Sequence, residues 1–347
     1  MHLPRFLRAL LYPTLLFAAV LARAQGSERL RGAMIPTFAT ARDLRDLAAL
    51  GANSVRWQLT WGGFPSSSAD NASLPEYASW LEGALRHVDT MLPLCRSLRF
   101  RVVLDLHTPP GGRMPNGEWR LFQHREHQDF FLRTWKGIAA CYRGDTTFWA
   151  FDLVNEPQEV TAVGDSVFRW RDLALAAALA IRAEDSSRRI VVEGAPNGSS
   201  TALAAFEPLP LRNVVYSFHF YDPPAFTHQG LYGDTANVRY PGYAYGKRWN
   251  RHRLEQWLKP LVDWQAQHGV PVYVGEFSAV RWAPGNSAYR YLRDCIRIFE
   301  KRGWGWAYHA WREADVWSLE HDRTGAHAVR ETSRLQLLRK RFASDRE

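Results

Sequence analysis

Two glutamates, Glu156 and Glu276, each stand where a run of apolar residues stops. The first ends Phe148-Trp149-Ala150-Phe151-Asp152-Leu153-Val154-Asn155 and is followed by Pro157; the second is flanked by Gly275 and Phe277 after a valine-rich run. A buried parallel strand that runs out on a carboxylate puts that group at the mouth of a sheet, where α/β enzymes keep their reacting groups. Pro157 removes a ladder donor and steers residue 156 away from the α region, so the strand must end there. Two carboxylates facing each other across one site can divide acid–base work from nucleophilic work, provided their surroundings set their protonation states apart.

Bringing residues so distant in sequence together is a task for the fold. Apolar strands alternate with amphipathic helices from residue 31 onward. The strands read as 31–37, 53–59, 100–106, 148–154, 189–193, 214–220, 270–275 and 305–310. Helices read as 40–50, 79–98, 124–141, 165–183 (with Asp165 or Ser166 as cap), 251–268, 286–301 and 330–342, with a short one near 201–206. This alternation has the count and size of a single-domain α/β fold, a (β/α)8 TIM barrel. A doubly wound open sheet is the competing architecture. It usually carries a glycine fingerprint at its first turn, and Arg31-Gly32-Ala33-Met34 has none.

In a barrel, chemistry belongs to the carboxyl ends of the strands. Those ends offer Arg56, Asp105-Leu106-His107, Asn155-Glu156, His219-Phe220-Tyr221, Gly275-Glu276-Phe277 and His309-Ala310-Trp311. Taken singly, each has an ordinary structural reading: a surface ion pair, a satisfied histidine, a core tryptophan. Their convergence on one axis is what points to a site. Strands four and seven lie on opposite sides of the mouth, so Glu156 and Glu276 can flank a sugar ring, and the set fits glycoside hydrolysis. Retaining enzymes of this kind hold the carboxyl groups about 5–5.5 Å apart and inverting ones further; that distance is left to the structure.

The ordered set Asn155-Glu156-Pro157, His219-x-Tyr221 and Gly275-Glu276-Phe277 resembles glycoside hydrolase family 5, the cellulase-like branch of the retaining barrel hydrolases. The resemblance spans essentially the whole chain after its leader. It implies Glu156 as acid/base and Glu276 as nucleophile, with Arg56, His107 and Trp311 at other active-site positions. Chemistry supplies roles beside it. Arg56 and the Tyr221 hydroxyl favour an ionised Glu276. Asn155 suits a hydrogen bond to the sugar 2-hydroxyl. His107 and His219 donate to hydroxyls or orient the carboxylates, and Trp311 offers a face for the ring to stack on. Trp57, Trp61, Trp119, Trp282 and Trp317 are each either core residues or further sugar platforms, and the loop 223–249 reads first as shaping the cleft, with a lid or an ordered surface loop as the other readings. The expected activity is an endo-β-1,4-glucanase acting on a β-linked polysaccharide. β-Mannanase and exo-β-glucosidase are the nearest alternatives. A non-catalytic carbohydrate-binding barrel is the alternative of another class, and the presence of both glutamates argues against it.

Arg5 and Arg8, the apolar stretch 9–22 and Ala22-Arg23-Ala24 read as an export signal, residues 1–24, cleaved ahead of a catalytic domain 25–347 in the periplasm or outside the cell. An uncleaved anchor is the other reading. That leader carries three arginines and no acid, so its removal takes the formal charge from +9 to +6. No aromatic-interleaved basic stripe suggests nucleic acid, and no later apolar run is long enough to span a membrane. The basic residues read as scattered, apart from a run at Arg339-Lys340-Arg341. Cys95, Cys141 and Cys295 leave open one disulfide or three free thiols. His124 and His127 are a poor metal pair in a charged segment, so neither metal nor cofactor is expected. Asn71-Ala72-Ser73 and Asn197-Gly198-Ser199 match the glycosylation sequon. A monomer is expected.

Overall fold

A computed structural model describes residues 29–62, 70, 72–114, 116, 118–158, 167–233, 237–328 and 330–343. The expected signal segment, Asp165, Ser166 and Asn71 lie outside them. Eight parallel strands close into a barrel in which each pairs with its sequence neighbours and the last returns to the first. They are β1 (Arg31–Ile35), β2 (Ser54–Gln58), β3 (Arg101–Asp105), β4 (Phe148–Asp152), β5 (Ile190–Glu193), β6 (Val214–Phe220), β7 (Val272–Phe277) and β8 (Gly305–Tyr308). The helices that follow them are α1 (Ala41–Ala49), α2 (Leu74–Ser97), α3 (Arg125–Cys141), α4 (Trp170–Glu184), α5 (Ser200–Ala204), α6 (Lys259–His268), α7 (Ser287–Lys301) and α8 (Ser333–Phe342). The TIM barrel expected from the sequence is the fold observed.

Local chemistry sets the boundaries, and in places moves them from those expected. Helix α2 begins five residues earlier, because Ser73 and Glu76 form a capping box at its start. Helix α4 starts from Arg169 rather than from an acidic cap near residue 165. The helix expected over 251–268 is two, Arg251–Trp257 and α6, split at Leu258. Pro260 has no N–H to give to the turn before it. Strand β7 runs on to Phe277, so Glu276 lies inside the strand and not past its end. The loop after β6 contains an antiparallel hairpin, Gly242–Ala244 with Lys247–Trp249. Its two-residue turn, Tyr245-Gly246, has φ of 50° and 68°, the double left-handed geometry that matches strand twist.

The core has two parts. One fills the space between strands and helices and takes up most of the tryptophans, Trp57, Trp135, Trp170, Trp304 and Trp306 among them. The other fills the barrel itself, where Met34, Val103, Val191, Val215, Tyr273 and Ala307 pack across the axis. Above that apolar plug the inward positions turn polar and charged. Cys95, Cys141 and Cys295 are free thiols, Cys95 and Cys295 buried.

Basic side chains are not scattered evenly. At the amino end of the barrel, away from the polar layer, a hollow of about 1010 Å³ is lined by Arg29, Arg31, Arg45 and Arg99 and, among the described residues, by no carboxylate, though Arg31 is paired with Glu300 behind it. A neighbouring one is lined by Arg101, Arg188 and Arg189, with Asp145 and Asp185 as its acids. Among the described residues no helix is long and apolar enough to cross a membrane.

Candidate active site

Alternation along the strands aims Arg56, Asp105, Asp152, Glu193, His219 and Glu276 into the barrel above its apolar plug. Arg56 is fully buried and is the hub. Its Nε donates to Asp152 at 2.9 Å, Nη1 to Glu276 at 2.8 Å, and Nη2 to Glu193 at 3.0 Å and Asn155 at 3.1 Å. Asp105 lies 3.2 Å from Nη2. One guanidinium thus faces four buried carboxylates. Burial pushes Asp152 well above the usual carboxylate range, outweighing Arg56, and Asp105 and Glu193 push the same way. Removing Arg56 would leave these charges uncompensated, a change that costs about 3–5 kcal/mol in buried pairs.

Glu276 has both oxygens held. Arg56 donates to Oε1 and the Tyr221 hydroxyl donates to Oε2 at 2.8 Å. Burial opposes its charge, but His219, His309 and Arg56 outweigh burial and hold the carboxyl far below its ordinary value. Gly275 makes this possible. The β6–β7 register shifts by one residue there, so that His219 pairs with Glu276. A Cβ on Gly275 would sit 2.6 Å from Ser217 Oγ and 3.0 Å from His219 Nε2.

Glu156 differs in every respect. Its side chain is 27% exposed, against 5% for Glu276. It leaves β4 with φ of 43°, a left-handed conformation that costs a non-glycine residue about 1 kcal/mol or more. Two contacts hold it there: its N–H donates to Glu193 at 2.9 Å, and its carbonyl accepts from Trp119 Nε1 at 3.0 Å. His219 joins the two glutamates, with Nδ1 2.9 Å from Glu156 Oε1 and 3.6 Å from Glu276 Oε2, and Nε2 3.0 Å from Glu193. Burial disfavours its charge, but Glu193 and Glu276 raise its pKa well above the usual imidazole value. Ligand atoms of Glu156, His219 and Glu276 all lie within 4.8 Å of one another. Such a trio has the spacing to gather a cation, but Glu276 already spends its oxygens on Arg56 and Tyr221, and both His219 nitrogens face carboxylates.

The structure gathers Arg56, Asn155, Glu156, His219, Tyr221 and Glu276 as the strand ends suggested. His107 stands beside them, half-buried, its Nδ1 2.8 Å from Asp105 Oδ2. Trp311 does not join them. Strand β8 stops at Tyr308 and the chain turns away: the Trp311 N–H donates to Met34 O, and Nε1 donates to the Asp43 carbonyl at the start of α1. The ring is 2% exposed and lies under the Arg312 guanidinium, so it packs between barrel and helix rather than under a sugar. The β8-end side chain that reaches Glu276 is His309, 3.6 Å away.

Sequence reasoning passed over four contributors. Glu193 ends an apolar strand just as Glu156 does. Asp152 is a charge inside an apolar strand, two residues after Ala150 on the inward face. His228 packs 4.9 Å from the Tyr221 ring, and burial pulls its pKa down to about 4. Glu313 meets His309; only its place four residues past His309 hinted at it. Of the other tryptophans, Trp57 is core and Trp61 stacks on Trp80 at 5.3 Å. Trp282 donates to the Gln229 carbonyl. Trp119 and Trp317 are buried against Glu156 and Tyr221 respectively.

The fold agrees with what is found in known proteins. Endoglucanase C of Acetivibrio thermocellus is 27% identical over 313 residues, covering 83% of this chain and 88% of its own. Cellodextrinase A of Ruminococcus flavefaciens is 23% identical over 279 residues, 78% of this chain and 77% of its own. The endoglucanase Cel5A of Thermotoga maritima shares the fold with a TM-score of 0.66 at 22% identity, over 89% of this chain and 96% of that one. Residues 23–315 match the family model for cellulase, glycosyl hydrolase family 5; the chain belongs to that family and is a glycoside hydrolase.

Proposed function

We propose that the protein is an exported endo-β-1,4-glucanase that cleaves its polysaccharide with net retention, Glu276 attacking the anomeric carbon and Glu156 serving as acid and then base. The observation that carries this reading is the contrast between the two glutamates. One is buried, charged and doubly hydrogen-bonded; the other is partly open to solvent and within 4.8 Å of it, oxygen to oxygen. That closeness favours the two-step over the one-step reaction, since inverting enzymes leave room for a water between the groups.

In the first step a proton passes from Glu156 to the leaving oxygen as a Glu276 oxygen bonds to C1, giving a glycosyl–enzyme. In the second, Glu156 takes a proton from water, and that water's oxygen displaces Glu276. His219 Nδ1, 2.9 Å from Glu156 Oε1, holds that carboxyl in place through both steps. Asn155 accepts from Arg56 at Oδ1, which leaves its amide donors for the sugar 2-hydroxyl. The resemblance to an endoglucanase over most of both chains supports glucan as substrate. Residues 25–347 form the catalytic domain and residues 1–24 its leader.

Glu156→Gln and Glu276→Gln are each expected to lower kcat at least about a thousandfold with melting temperature little changed. Near-parental turnover by either variant removes that residue from its role. NMR of the first-released anomer is expected to show β; an α product overturns the two-step course. Product profiles on cellulose, mixed-linkage glucan, xyloglucan, mannan and aryl glycosides test the substrate. A preference for mannan, or monomer released from chain ends, replaces endo-glucanase with one of the alternatives, and binding without hydrolysis makes the chain a carbohydrate-binding barrel.

A further inference from the structure

We infer that Glu313 and His309 form a relay that acts through Tyr221 to keep the tyrosine's single hydroxyl proton directed at Glu276, which makes His309 a positioning residue. This rests on Glu276 being the attacking carboxylate. The Tyr221 oxygen lies 2.8 Å from Glu276 Oε2 and 2.6 Å from His309 Nδ1. The other ring nitrogen, Nε2, lies 2.9 Å from Glu313 Oε2. A carboxylate only accepts, and a hydroxyl has one proton to give. If Tyr221 gives that proton to Glu276, His309 must donate from Nδ1. If Glu313 is ionised, His309 must also donate from Nε2. Both conditions hold for the imidazolium and for neither neutral tautomer.

The surroundings fit that state. Glu276 and Glu313 favour the charge on His309 and prevail over burial and the repulsion of His219. His228, a further imidazole nearby, is kept neutral by burial. Glu313 is in turn held below its ordinary value, His309 outweighing burial. Trp317 packs against His309, Tyr221 and His228 at ring separations of 5.7, 5.9 and 5.2 Å and walls the relay from one side. Were His309 neutral with its proton on Nε2, the Tyr221 hydroxyl would swing to the bare Nδ1 and Glu276 would lose a donor. The end of β8 therefore presents an ion-paired ring to the reacting carboxylate, where an apolar one had been expected from Trp311.

The test is a double-mutant cycle on kcat/KM for a soluble aryl β-cello-oligosaccharide, with melting temperature as the check on folding. His309→Phe is expected to cost about tenfold or more alone but less than about twofold in the Y221F background. His309→Asn, which keeps an N–H near the Nδ1 position, is expected to recover most of the loss. The acid limb of kcat/KM is expected to rise by about one pH unit in H309F, because Glu276 loses a donor and a positive neighbour. Equal losses in both backgrounds, or an H309N variant as impaired as H309F with an unmoved acid limb, overturn the relay. Glu276→Gln, measured alongside, separates the two readings. If it stays active, the assignment of Glu276 falls. If it is inactive while the cycle is additive, the relay alone falls.

Discussion

Glu276 is charged because of where its neighbours stand, and the sign of that effect fixes how activity depends on pH. Its pKa in the folded protein is depressed, by His219, His309 and Arg56 against burial. The carboxylate proposed to attack is therefore present at any pH above that low value and is lost as pH falls through it. The acid limb of kcat/KM is expected below about pH 4, under the range of an ordinary glutamate. A profile whose acid midpoint lies near pH 5 while circular dichroism shows the fold intact would contradict the assigned environment. Much of this pair was readable beforehand, since a carboxylate that ends a buried strand is conspicuous in sequence. The partners of Arg56 were less so. Asp152 and Glu193 follow Ala150 and Val191 at the two-residue period, so all four share the inward face. That period becomes informative only once the strands are known to close on themselves.

Among the elements, β7 shows how one residue without a side chain sets the register of a site. Gly275 is where β7 gains a residue against β6, and Ser217 and His219 together crowd the space a Cβ would take. Gly275→Ala is expected to cost about 1–3 kcal/mol of stability by overpacking and to lower kcat about tenfold or more by displacing His219. Thermal melting and steady-state kinetics check both; a variant within about 0.5 kcal/mol of the parent with unchanged kcat would show that the strand pair adapts. The strand pattern exposed this motif without revealing its reason, because a bulge is a property of two strands. The reverse happened at β8. Counting by twos from His309 puts Trp311 on the inward face, but the strand has already ended, and Arg312 at φ of 53° belongs to a turn. The hairpin after β6 stayed hidden because Tyr-Gly is a rarer double left-handed turn than Asn-Gly. The early start of α2 was legible in Ser73-x-x-Glu76 and was missed.

Seen whole, the molecule has two unlike ends. The carboxyl end of the barrel holds Glu156, Glu276 and the buried charges behind them. The amino end carries the arginine-lined hollow, with no acid among the described residues that line it. Composition alone gave only a net excess of positive charge; the clustering of arginines depends on where β1, α1 and the turn before β3 place Arg31, which is paired with Glu300, Arg45 and Arg99. Such asymmetry makes the protein an electrically polarised particle, whose landing on a charged solid is not random. On bare silica at low salt it should settle arginine end down, leaving the cleft facing the liquid. Adsorbed enzyme is then expected to keep most of its turnover on soluble cello-oligosaccharides and to wash off as ionic strength passes about 0.1 M, where screening falls to roughly 10 Å. Loss of turnover on adsorption would mean that the opposite end had landed. The same polarity that separates the paired carboxylates from basic surface would thus orient an immobilised catalyst without any engineered tether.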